Sequence, residues 1–385
     1  MFATLSLTGC SGAPKLGWAG TVVHEYTTQA EGEDPVDHAI LFVGTMEGKI
    51  SAYDVTDDLE NKRVPLWSLN LSATAGIIDA LYGRPVVAGA YVYIANEFGK
   101  VYKLSIDNSE ATKVIDLKRQ VVGGIDVGLD TVYVSTSDAD TNQGSLYALN
   151  ADTLEVRWQY PGTSDTPLSD RIWGAPTVDV TDADAGEGVV YFGCFDHNMY
   201  ALDAVTGVLK WKFEAGGAIA DKPLVYEDAV YFGSFDRKFY AVNKTTGIAK
   251  WDKPFEAGNW FWTEAVANDG TIYVGSLDHK VYALDAATGG EPTSEFETDS
   301  MITSPVVIAG DKLIVAANSG IVYALELANL AGVQKWASPY EMGQEIQSPM
   351  SIHGEFLYVY GRGSTLTARW LTTGGPSGWD IKTNE

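Results

Sequence analysis

The phrase VVYFGCFDHNMYALDAVTGVLKW at 189–211 returns as AVYFGSFDRKFYAVNKTTGIAKW at 229–251 and, with drift, as TIYVGSLDHKVYALDAATG at 271–289. Copies about 40 residues apart, each long enough for four short strands, mark a radial array of small sheets and not one enclosed core. Function in such an array sits in loops and rim. A residue conspicuous in every copy belongs to folding first.

Each copy reads as the same strand program. An entry near Ala175-Pro176, Lys222-Pro223 or Ser304-Pro305 precedes a β-branched and aromatic run ending at Gly193, Gly233 or Gly275. An Asp-containing turn leads to a third strand, MYALD, FYAVN or VYALD. A Thr-Gly turn follows at Thr206-Gly207, Thr246-Gly247 and Thr288-Gly289, where glycine suits a positive φ. Asp203 and Asp285 are placed to accept hydrogen bonds from that turn. Trp211 and Trp251 end the fourth strands as apolar plates with one donor each, suited to wedging between sheets.

Counting the second strand gives LFVG, VYIA, VYVS, VYFG, VYFG, IYVG, LIVA and LYVY, hence an all-β, eight-bladed propeller of four-stranded antiparallel blades, with seven blades if the last is degenerate. Trp67, Trp158, Trp211, Trp251, Trp336 and Trp379 mark six blades. Blades two and six lack the Trp, and Leu117 and Phe296 are the expected stand-ins. The first strand, from Thr21 to His24, reads as innermost and the last, Gly378 to Lys382, as outermost. Every blade is then continuous, and closure rests on packing between blades one and eight.

The 385 residues, 45% hydrophobic with 11 Trp, 20 Tyr and 13 Phe, form two segments: 1–15, a lipoprotein signal remnant and short tether, and 16–385, a single propeller. No stretch of 18 apolar residues occurs, which excludes a transmembrane helix. The net charge of −25 argues against nucleic acid and anionic lipid as partners. Leu7-Thr8-Gly9-Cys10 looks like a lipobox, so Cys10 is the expected lipidation site, although nine residues without Lys or Arg precede it. Cys194 falls where Ser stands in the next two blades and reads as a buried small residue.

The run A-L-D-x-x-T-G-x-x-x-W, here Ala201 to Trp211, resembles the repeat of the PQQ-like β-propellers, with drifted copies at Ala241 to Trp251 and Ala283 to Gly289. The resemblance covers roughly 16–382. That family holds quinoprotein dehydrogenases and non-catalytic propellers such as the BamB-type outer-membrane assembly lipoproteins. Size, blade count and lipobox look most like the latter. The resemblance implies no enzyme activity, a protein partner in an envelope complex, and a lipid-anchored extracytoplasmic location, on the outer membrane if the organism has one. The dehydrogenases resemble one another in a vicinal Cys-Cys pair and an oxygen-ligand set on a metal. This chain has no Cys-Cys, and Asn259, Glu264 and Asp126 are candidate ligands without a distinctive motif. PQQ-dependent oxidoreduction is one alternative reading; a small-ligand or glycan receptor is another.

Other chemistry is thin. His197 and His279, with Arg237 between them, occupy equivalent turns a blade apart, too far to share an ion. Asp138, Asp140 and Asn142 resemble the start of a calcium loop that lacks its closing Glu; an acidic hairpin is the favoured reading, a weak surface calcium the alternative. No other cofactor is expected. The ring's mouth collects Tyr82, Arg84, Arg171, Trp173, Lys222, Trp260, Phe261, Trp262 and Met301, with Ile78, Ile219 and Ile346, just before the inner strands. Aromatic and Met residues beside Arg are enriched at interface hot spots, so this face is the expected partner-binding surface, with Trp173 and Trp260 expected to be exposed.

Overall fold

A computed structural model describes residues 20–29, 34–56, 63–71, 80–108, 111–163, 165–331, 336 and 338–383. Cys10 with its lipobox, the start of the chain through residue 19, and Ile78 lie outside the described residues. Among the described residues, thirty-two strands form eight four-stranded antiparallel sheets, each using four consecutive strands. Blade one runs through Thr21–Thr28, Val36–Gly44, Lys49–Asp54 and Trp67–Asn70; blade eight through Ser351–His353, Phe356–Gly361, Thr365–Trp370 and Pro376–Lys382. The blades form a ring, and each is continuous in sequence. Among the described residues no helix is long and apolar enough to cross a membrane.

The seams between blades explain the repeat. In blade four Trp211 pairs with Ala201, and Ala201 with Tyr191 on the second strand, so indole and phenol share one face. Both reach into blade five and donate to the same carbonyl: Tyr191 Oη at 3.1 Å and Trp211 Nε1 at 3.0 Å from the oxygen of Lys244. Tyr133 and Trp158 do the same to Ala204, and Tyr231 and Trp251 to Ala286. Beneath each indole lies the next blade's turn glycine. Gly247 has φ +70°, and a Cβ there would fall 2.7 Å from Trp211 Cδ2; Gly207 and Gly289 meet Trp158 and Trp251 in the same way. The glycine therefore serves backbone conformation and close approach at once. The turn's Asp is used as expected, Asp203 Oδ1 accepting from Thr206 N and Oγ1.

Leu117 and Phe296 are not the substitutes for the missing tryptophans. The positions in register with Trp211 are Lys113 in blade two and Ser294 in blade six; Phe296 lies two residues further along, paired with Val281, and Leu117 follows the strand's end. The space is filled from the other side. Four residues after Asn150, where blades four to six carry glycine, blade three has Leu154, buried and at φ +58°. Blade seven has Leu330, fully buried, four residues after Glu326. Leu154 joins the core of Tyr93, Val132 and Leu149, and Leu330 that of Tyr273, Leu313 and Leu325. At the six–seven seam a cavity of about 340 Å3 remains, lined by Tyr273, Ser294 and Leu327. A seam needs one large apolar body, supplied by either neighbour.

The ring closes without a mixed blade. Blade one's Leu41, Val43 and Tyr53 and blade eight's Tyr358, Leu366 and Trp379 make one core, with Trp379 edge-on to both tyrosines. Thr21 Oγ1 donates to Ser351 Oγ at 2.8 Å, Ser364 Oγ to Glu47 Oε1 at 2.6 Å, and Lys49 Nζ to the Thr383 carbonyl at 3.3 Å. The Tyr358 hydroxyl is buried with no hydrogen-bond partner among the described residues, unlike its counterparts in blades two to six.

Candidate functional site at the channel mouth

The connections from each fourth strand to the next blade's first strand converge on one end of the axial channel. Their residues alternate. In blade six Trp260 faces outward, Phe261 inward and Trp262 toward the axis. Phe261 is therefore the correction to the expected docking face: it is fully buried against Phe239 and Phe255, seated over Gly233, where any Cβ would clash with it. Ile219 over Gly193 repeats the arrangement in blade five, and Ile346 is buried in blade eight. These are core positions of the repeat, one residue away from the functional ones.

Tyr82, Arg84, Trp173, Lys222, Trp262 and Met301 line a mouth cavity of about 490 Å3, but Tyr82 does so from a core it shares with Ala80 and Val122 and is a second correction to the expected docking face. Met301 and Trp260 are exposed, Trp260 by 44%; Trp173 is only half-buried. The aromatics continue onto the rim as a ladder. Trp173 stacks on Phe195 at 5.7 Å and meets Trp262 edge-on at 6.2 Å. Phe235 stacks between Trp260, at 4.6 Å, and Trp262, at 5.5 Å. The Arg171 guanidinium lies 6.0 Å from both the Trp173 and Phe195 rings, within cation–π range.

Phe195 and Phe235 were missed by sequence reasoning. They stand in the second-to-third turns, just ahead of the Asp that makes those turns conspicuous. The available signal was a Phe placed beyond the strand-ending Gly, in a turn where burial is not required. The Asp residues themselves hold the turns: Asp196, Asp236 and Asp278 each accept from the backbone N two residues on and from the hydroxyl of Tyr200, Tyr240 or Tyr282. His197, Arg237 and His279 occupy the positive-φ position of the same turns. Cys194 is fully buried, its Sγ donating toward the carbonyls of Asp170 and Arg171 at 3.3 Å, as Ser276 Oγ does toward Asn259 and Trp260. Burial pushes its thiol well above the usual range.

Charges on the cavity floor are paired. Arg84 Nη1 lies 3.4 Å from Glu264 Oε1, and Lys222 Nζ 3.4 Å from Asp126 Oδ2, which also accepts from Val178 N. Asn259, the third candidate oxygen ligand, accepts from Trp260 N in its own loop and donates to the Leu277 carbonyl in the neighbouring turn of blade six. Asp221, also on the cavity wall, is fully enclosed, and burial raises its carboxyl well above the ordinary carboxylate range against the opposing hydrogen bond from Gly233 N. Its folded value exceeds its unfolded one, so its stabilising contribution is complete below the ordinary range and is lost as pH rises through the folded value.

In the acidic hairpin, Asp138 Oδ1 accepts from Asp140 N, Thr141 N and Thr141 Oγ1, Oδ2 faces Arg119 at 3.6 Å, and Asn142 sits at φ +60°. Those turn hydrogen bonds, led by Thr141 N, hold the Asp138 carboxyl below its usual range. Among the described residues no group of three or more His, Cys, Asp or Glu side chains is arranged to hold a metal ion.

Residues 58–184 and 171–377 match the family model described as outer membrane protein assembly factor BamB, and the chain belongs to that family. The crystal structure of BamB from Moraxella catarrhalis superposes with a TM-score of 0.65 at 18% identity, covering 91% of this chain and 96% of that one. The computationally designed Ika8 protein superposes with a TM-score of 0.68 at 12% identity, covering 86% and 93%. At such identities the likeness is one of fold. A stretch of 73 residues, 19% of this chain, is 38% identical to the dehydrogenase subunit of the quinone alcohol dehydrogenase of Gluconobacter oxydans (strain 621H) and spans only 9% of that enzyme.

Proposed function

We propose, with that family as the premise, that this chain is a non-catalytic scaffold of a cell-envelope complex, anchored outside the cytoplasm through a lipid on Cys10, and that it holds a protein partner on its aromatic mouth rim. Where the organism has an outer membrane, the complex is one that assembles outer-membrane proteins. The carrying observation is the ladder Trp260–Phe235–Trp262–Trp173–Phe195 with Arg171 alongside. Exposed tryptophan stacked on a rigid ring, flanked by arginine, loses little side-chain entropy on docking and has the composition of interface hot spots. The net charge of −25 favours a basic partner surface.

The test is capture from detergent-solubilised membranes with wild-type chain and the Trp260→Ala/Arg171→Ala variant. A stoichiometric protein that is retained by the wild type and lost by the variant supports the scaffold. Equal retention by both moves the interface off this rim. The short match to a quinone alcohol dehydrogenase raises one competing reading. Dye-linked alcohol oxidation after incubation with PQQ and calcium would replace the scaffold with an oxidoreductase.

A further inference from the structure

The axial channel is crossed by charge. Arg84 stands at the head of blade two's inner strand and Glu264 at the head of blade six's, and in an eight-bladed ring those blades face each other across the axis. Their 3.4 Å contact is a crossbar. Arg84, Lys222, Glu264, Pro305 and Pro349 border both the mouth cavity and a second cavity of about 380 Å3 beyond it, walled by inner-strand residues such as Leu224, Val266 and Ile308.

Two side chains of the mouth cavity's wall have unmet polar atoms. Asp221 and Thr263 are each only 3% exposed, and Asp221 Oδ1 and Thr263 Oγ1 have no hydrogen-bond partner among the described residues. Buried polar atoms are ordinarily satisfied, so two together in one wall point to a ligand that supplies hydrogen-bonding partners. The crossbar narrows its charge. A ligand with a single charge must break an ion pair and leave the other member unpaired in a half-buried site, which is strongly unfavourable. A ligand with both charges replaces both partners at once. The walls of Tyr82, Trp173 and Trp262 suit its cationic end, since aromatic faces attract ammonium groups.

We propose that the mouth cavity binds a small zwitterion by opening the crossbar, with its carboxylate on Arg84 and its ammonium on Glu264, and with Asp221 Oδ1 and Thr263 Oγ1 completing their hydrogen bonds on it. The site lies inside the ring and needs no protein partner, so it goes beyond the scaffold role and stands or falls separately from it.

The experiment titrates the purified chain, without partner, with 4-aminobutyrate and with its two single-charge halves, butyrate and butylammonium, by calorimetry and ligand-observed NMR. The expected result is saturable binding of 4-aminobutyrate at least about tenfold tighter than either half. Arg84→Gln and Glu264→Gln each weaken it about tenfold or more, and the exchanged pair Arg84→Glu/Glu264→Arg, which rebuilds the crossbar in the opposite sense, recovers binding. Near-UV circular dichroism reports that each variant is folded. Equal affinity for the three ligands, no saturable binding of 4-aminobutyrate to the wild type, or folded single variants with unchanged affinity overturns the proposal.

Discussion

The seam between blades four and five and the seam between blades two and three join the same kind of sheets with opposite chemistry. At the first, Trp211 crosses from blade four and lies on Gly247 of blade five, with Tyr191 sharing its acceptor. At the second, blade two offers Lys113 where the indole would be, and Leu154 of blade three comes back to fill the space; Tyr93 donates across to Ala151 at 2.9 Å, and the buried Lys103 Nζ to Asp152 Oδ1 at 2.9 Å. Burial of a large apolar body is the constant, and its owner is not. The hydrogen-bonded pair of rings is an addition that the seam can lose.

The largest effect expected is at Trp211. Trp211→Ala empties the seam and should cost about 3–5 kcal/mol in denaturant unfolding. A smaller loss, matching surface substitutions, would break the claim that the plate holds the blades together. Gly247→Ala should cost about 2–3 kcal/mol, from its positive φ and from the displaced indole. In a Trp211→Ala background only the backbone share, about 1 kcal/mol, should remain, and a double-mutant cycle reads the coupling directly.

Leu154→Gly sets two effects against each other. Relief of a positive φ favours the variant by about 1 kcal/mol, and loss of a buried leucine opposes it by about 2–5 kcal/mol. A net loss near 2 kcal/mol is expected, and adding Lys113→Trp should restore part of it; a stabilised single variant would show that the leucine is not the filler. The smallest effects concern the hydroxyls. Tyr191→Phe should cost about 1 kcal/mol, whereas Tyr358→Phe, whose hydroxyl is buried without a partner among the described residues, should be neutral or stabilising. Equal costs would place an acceptor at the closing seam.

Much of this was legible in the repeat. The blade count, the continuous blades, the turn role of Asp203 and the glycines all follow from residues within one copy. The seam fillers were not legible, because Leu154 and Leu330 make sense only against a vacancy in the preceding blade. Inside blades two and six themselves the pattern offers Leu117 and Phe296, which lie off the register of the missing indoles. The mouth was legible as a region. Its residues Tyr82, Arg84, Trp173, Lys222, Trp262 and Met301 do converge on one cavity. Phe261 was misplaced because alternation turns every second residue of that connection into the core.

Sequence alone determined the architecture, since period-2 patterning and a repeat of about 40 residues leave each sheet no way to bury its faces except against copies of itself. Only the tertiary structure decided what lies across the axis. The pairing of Arg84 with Glu264 joins residues four blades apart, and no local pattern encodes it. It exists because ring closure brings opposite strand heads to one point, where two charges of opposite sign are more stable together than alone.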